Sequence, residues 1–215
     1  LESVAKFALH ARPTGVVLGD VDGDDATDLV AVDEAGRVSW FRNDGQGTLE
    51  DAVRLDAPGA RFTDVLVTDL DGTGRPRIVA ADAAGDLLWT FSANGPQLQT
   101  DASALAGARG YWPERIAAGD ANGDGRMEIA VVNRGYAHVS LLTADGSGDL
   151  SLVPGFPRNV AVDWGSLLND VTLQDANGDG HLDLLWLDEQ PWATAQLGIL
   201  RGDGQLGFTL SPDSP

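Results

Sequence analysis

Four stretches of the chain place oxygen-bearing side chains at alternate positions around a glycine. They are Asp20-Val-Asp-Gly-Asp-Asp-Ala-Thr-Asp28, Asp69-Leu-Asp-Gly-Thr-Gly-Arg-Pro-Arg77, Asp120-Ala-Asn-Gly-Asp-Gly-Arg-Met-Glu128 and Asp175-Ala-Asn-Gly-Asp-Gly-His-Leu-Asp183. Carboxylates and amides at such spacing suit a hard cation: calcium takes about six to eight oxygen ligands, and glycine permits the sharp turn that brings them together. The first loop offers Asp20, Asp22, Asp24 and Asp28, with the carbonyl of Ala26. Four carboxylates around one ion predict tight binding. The third loop offers Asp120, Asn122, Asp124 and Glu128 with the carbonyl of Arg126, and the fourth offers Asp175, Asn177, Asp179 and Asp183 with the carbonyl of His181. So many carboxylates in one loop repel each other unless a cation intervenes, and magnesium fits less well because it demands a tighter octahedron.

An EF-hand needs a bidentate glutamate at the twelfth loop position, where these three loops carry Ala31, Val131 and Trp186, so that reading is excluded. The second loop keeps Asp69 and Asp71 but has Thr73 in the fifth position and Arg77 in the ninth. A guanidinium from Arg77 or Arg75 is expected to pair with Asp69 and Asp71 in place of an ion. That leaves loop 69–77 metal-free and predicts about three calcium sites.

The elements that hold these loops recur with them. Loop starts at Asp20, Asp69, Asp120 and Asp175 give a period of roughly 50 residues, the scale of one propeller blade. Each loop lies between two short apolar runs, such as Val16–Leu18 and Leu29–Val32, which read as strands buried on both faces. A third strand follows (Val38–Phe41, Leu87–Thr90, Val139–Leu142, Leu197–Leu200), then an Asp-Gly or Asn-Gly hairpin signal and a more polar fourth strand suited to an outer edge. The fold class is therefore all-β: a β-propeller of about four four-stranded blades, with 16 or more strands. One domain covers 1–215, with repeats near 11–55, 62–100, 113–153 and 168–210. Val4–His10 resembles the outer strand of a preceding blade, which predicts part of a larger propeller or a ring completed by another chain.

Composition narrows the partners. Asp plus Glu number 33 against 14 Lys plus Arg, for a formal charge of -19, which argues against nucleic acid or an anionic membrane. The absence of cysteine excludes disulfides, thiol nucleophiles and thiolate metal sites. The chain opens at Leu1 and has one methionine, Met127, so it reads as a processed or excised piece, without an apolar run of membrane-spanning length.

The loops and their flanking strands resemble the FG-GAP or VCBS-type repeats of integrin α-subunit propellers and many secreted proteins, over nearly the whole chain. The resemblance implies a β-propeller with calcium in the loop between the first two strands of a blade. It does not extend a site to Arg77, and it says little about function.

The expected function is a non-catalytic, secreted or cell-surface module that binds a protein or glycan, with calcium stabilising the blade loops. Millimolar calcium outside cells fills weak sites. A homo-oligomer or further blades would complete it. A lectin-like role, or that of an accessory domain of a secreted enzyme or toxin, is the alternative. Trp112, Trp164 and Trp192 lie outside the expected strands and are candidates for stacking on sugars, with inter-blade packing as their plainer role. An enzyme is not expected: His10, His138 and His181 form no pattern with a nucleophile, and the calcium loops account for the paired carboxylates. Arg201-Gly202-Asp203 occupies the hairpin position shared by the other repeats and reads as a turn.

Overall fold

The computed structural model describes residues 6–160, 166–189 and 195–211, and among these it contains strands and turns but no helix. The first sheet comprises β1 (Pro13–Gly19), β2 (Asp28–Asp33), β3 (Arg37–Phe41) and β4 (Val53–Asp56), and the second β5 (Phe62–Thr68), β6 (Arg77–Asp82), β7 (Leu87–Asn94) and β8 (Gln97–Leu105). The third holds β9 (Pro113–Gly119), β10 (Glu128–Asn133), β11 (His138–Ala144) and β12 (Leu150–Leu152), with β13 (Arg158–Asn159) also paired to β11. The fourth is β14 (Leu167–Gln174), β15 (Asp183–Glu189), β16 (Gln196–Gly202) and β17 (Phe208–Leu210). In every sheet the first four strands pair antiparallel in sequence order, as in the blades of a propeller.

Burial explains why the second strand of a repeat carries apolar residues without alternation. Successive sheets lie face to face, and the core divides into three layers, one between each pair of successive sheets. Trp40, Phe62, Ile78 and Phe91 fill the first layer, Val79, Leu88, Ile129 and Val131 the second, and Leu141, Leu168, Leu184 and Trp186 the third. All six residues of β10, in an interior blade, are buried, whereas β15 in the last blade alternates and exposes Leu187. Innermost strands stack in order: β1 on β5, β5 on β9 and β9 on β14. Apolar side chains remain uncovered at both ends of this arc, Val16 and Leu18 on the first blade and Leu187, Leu197 and Leu210 on the last.

The segment Val4–His10, expected as the outer strand of a preceding blade, is described only in part. Val4 and Ala5 lie outside the described residues, and 6–10 make no strand pairing. A strand needs a neighbour's backbone groups to bond with, and β4 already fills the outer position of its own sheet. The segment instead lays Phe7 on Phe41, ring centroids 4.8 Å apart, partly covering the outward face of the first blade.

Close packing inside a blade depends on glycine at Gly198, which faces Trp186 across the β15–β16 pair. A Cβ there would overlap the indole ring. Gly198→Ala should lower stability by about 1–3 kcal/mol in urea unfolding, and an unchanged midpoint would contradict this packing.

Candidate metal sites

All four acidic loops are shaped by the same set of hydrogen bonds. The first aspartate curls the loop around its own carboxylate: Asp20 accepts from the backbone N–H groups of Gly23 (2.8 Å), Asp24 (3.2 Å) and Asp25 (2.9 Å). Asp120 does the same with Gly123, Asp124 and Gly125, and Asp175 with Gly178, Asp179 and Gly180. In the second loop Asp69 accepts from Thr73 and Gly74. The fourth position must be left-handed for this curl, and it is glycine in every loop, with φ between +71° and +80°. The fifth-position carboxylates of Asp24, Asp124 and Asp179 then accept from the N–H of Ala26, Arg126 and His181, each at 2.9 Å, anchoring the residues whose carbonyls the sequence assigns as ligands.

The ninth-position carboxylates are fully buried and serve a second purpose. Asp28 accepts from Val21 N–H, the Trp40 indole (2.8 Å) and Asn43 N–H (2.7 Å). Glu128 accepts from Ala121 N–H and the Thr143 hydroxyl, and Asp183 from Ala176 N–H, Gly202 N–H and Arg201. Each therefore ties the start of its loop to the end of the third strand. Sequence reasoning counted these residues only as ligands.

A further acidic series was missed altogether. Asp33 and Asp82 end the second strand of their blades and Asp188 is the penultimate residue of its own; all three are buried and accept backbone N–H bonds at the opposite rim: Asp33 from Ala11, Ala35 and Arg37, Asp82 from Arg61 and Ala84, Asp188 from Leu167. Asn133 occupies the same place in the third blade and donates to Ser140. The signal lay in the spacing, since all four residues follow the start of their loop by the same 13 residues.

The first loop is the best-formed candidate for holding a cation. One oxygen each from Asp20, Asp22 and Asp28 lie within 4.8 Å of one another, and among the described residues no other three acidic side chains in the loops converge so closely. Asp22 Oδ1 is buried with no hydrogen-bond partner. A buried carboxylate oxygen without a donor is costly, and a cation would satisfy it. Burial pushes the Asp22 carboxyl up from its ordinary range, partly offset by Arg42, and burial likewise raises Glu128. Backbone N–H donors, led by those of Arg126, Gly180 and His181, hold Asp124, Asp175 and Asp179 below the usual carboxylate range. Backbone bonding thus favours the ionised form of Asp124, Asp175 and Asp179, whereas Asp22 in the first loop carries its charge at a cost that a divalent ion would remove.

In the second loop Arg77, and not Arg75, supplies the guanidinium. It pairs with Asp71 (3.3 Å) and Asp101 (3.4 Å) and donates to the Ser147 carbonyl (2.7 Å) in the hairpin of the next blade. The expected bond to Asp69 is absent because that carboxylate is already turned onto Thr73 and Gly74.

Of the three candidate tryptophans, Trp112 is 54% exposed beside a cluster of Tyr111, Tyr136 and His138 at the rim opposite the acidic loops. Trp164 and Trp192 lie outside the described residues. Arg201-Gly202-Asp203 forms part of a hairpin, closed by Asp203 N–H to the Gly207 carbonyl.

Compared with known proteins, three overlapping stretches, 20–80, 69–131 and 120–186, match the model of the FG-GAP-like repeat. No curated protein matches the chain.

Because Asp28 holds three donors independently of any ion, Asp28→Ala should lower stability by about 3 kcal/mol in excess EDTA as well as in calcium. Asp24→Ala, at an exposed loop position, should cost far less in EDTA. Equal, small losses for both variants by urea unfolding would reduce Asp28 to a metal ligand alone.

Proposed function

The chain belongs to the FG-GAP-like repeat family, and from that premise we propose that it is a non-catalytic, calcium-stiffened interaction module working outside the cell. The observation that carries the proposal is the first loop, where Asp20, Asp22 and Asp28 converge around a buried carboxylate oxygen that lacks a donor. The third and fourth loops share its backbone scaffold and complete a set of three calcium sites, while Arg77 takes the place of the ion in the second. Extracellular calcium is abundant enough to fill such loops even where they bind weakly. Bound ions would hold the loops at one rim rigid and leave the surface free for a protein or glycan partner at the cell surface. The uncovered apolar faces at the two ends of the arc favour completion by further blades or by a second copy.

A non-catalytic role fits the side chains. The loop carboxylates are engaged by backbone N–H groups, and His138 lies against Tyr111 with its Nδ1 2.7 Å from the Tyr136 carbonyl. Thermal unfolding in excess EDTA and in millimolar calcium tests the proposal: calcium should raise the melting temperature by several degrees. No shift would leave the loops as acidic turns.

A second reading, a lectin, is favoured by two exposed aromatic residues in the loops of one blade, Trp112 and Tyr136, the latter 59% exposed. Flat rings suit the face of a sugar. Trp112→Ala should abolish binding on a glycan array with unchanged melting temperature. An array on which the unaltered protein binds nothing would remove this reading.

A further inference from the structure

The third and fifth positions of an acidic loop stand side by side, and three of the four loops link them with a hydrogen bond of their own. Asn122 donates its amide to Asp124 (3.2 Å), Asn177 to Asp179 (2.8 Å), and the Thr73 hydroxyl to Asp71. The first loop has aspartate at both places and no donor to join them. There Arg42, which follows β3, reaches back across the blade. Its Nε pairs with Asp22 Oδ2 and its Nη2 with Asp24 Oδ2 at 2.9 Å, one guanidinium bridging both carboxylates. Corresponding positions in the other blades do not do this: Ser92 bonds Asp101, Thr143 bonds Glu128, and Arg201 pairs with Asp183. The bridge therefore occurs where two carboxylates need it.

We infer that Arg42 is the built-in counter-cation of the first loop and competes with a divalent ion for Asp22 and Asp24. The competition rests on the calcium reading above; the counter-cation role does not. A calcium ion drawing on both carboxylates places two positive charges against the guanidinium, and Arg42, 38% exposed, has room to leave toward the shallow cleft lined by Ala93, Gly95 and Pro96. The loop richest in carboxylates consequently binds calcium less tightly than its charge count predicts.

Three proteins test this: the unaltered chain, Arg42→Ala, and Arg42→Ala combined with Asp22→Asn, which recreates the Asn–Asp link of the third and fourth loops. In excess EDTA, Arg42→Ala should melt lower by on the order of 2 °C, and the double variant should recover the loss. No loss, or a loss that Asp22→Asn does not repair, overturns the counter-cation role. In calorimetric titration with calcium, Arg42→Ala should tighten one site by about three- to five-fold. Unchanged affinity overturns the competition, and weaker affinity does so by making Arg42 an organiser of the ligands. If no protein takes up calcium, the competition falls with the calcium reading, and the EDTA melts still decide the counter-cation role.

Discussion

The bond on which the architecture turns is the one from backbone N–H groups to the first aspartate of each acidic loop. A carboxylate that accepts two or three N–H bonds gathers charge-assisted hydrogen bonds about twice as strong as neutral ones, and it satisfies peptide groups that the tight turn would leave without partners. Asp20, Asp69, Asp120 and Asp175 all act this way. The turn they stabilise sets the register between the first two strands of its blade, and it aims the third-, fifth- and ninth-position side chains. The same geometry persists in the second loop, where Arg77 stands in the ninth position, so the curl belongs to the backbone and its aspartate. The side chains proposed to hold calcium are aimed by it.

Hydrophobic burial supplies the cohesion and carboxylates the precision. Each layer between successive blades is apolar, while buried carboxylates stitch the blade at both ends: Asp28, Glu128 and Asp183 near the loops, Asp33, Asp82 and Asp188 at the other rim. This division accounts for part of the acidic composition. At these positions a carboxylate that reads as surface charge or metal affinity is internal and bonds backbone donors that a short connection cannot pair by itself.

The fold was legible because both of its signals are local and repeated. Apolar runs such as Ile129–Val132 lack alternation for the physical reason inferred, a blade on either side, and the hairpin signals fall at the third-to-fourth strand turns. The family likeness was legible from the same loops. The segment preceding Pro13 carries apolar residues like those of an outer strand, but strand formation depends on a neighbour that sequence does not display; among its described residues Phe7 lies against the Phe41 ring. The candidate sites were only partly legible. Spacing identified which oxygens share a loop, but not that Arg42 would arrive from 20 residues away to hold Asp22 and Asp24, nor that Arg77 would choose Asp71 and Asp101 over Asp69. Long, flexible cations leave no periodic trace, and their partners are set by tertiary proximity.

Native mass spectrometry of the chain in calcium, compared with the same sample in EDTA, tests the central claim most directly by counting ions. Three bound calcium ions per chain are predicted, one each for the first, third and fourth loops. No calcium-dependent mass increment, or four ions with the second loop filled despite Arg77, would contradict the account.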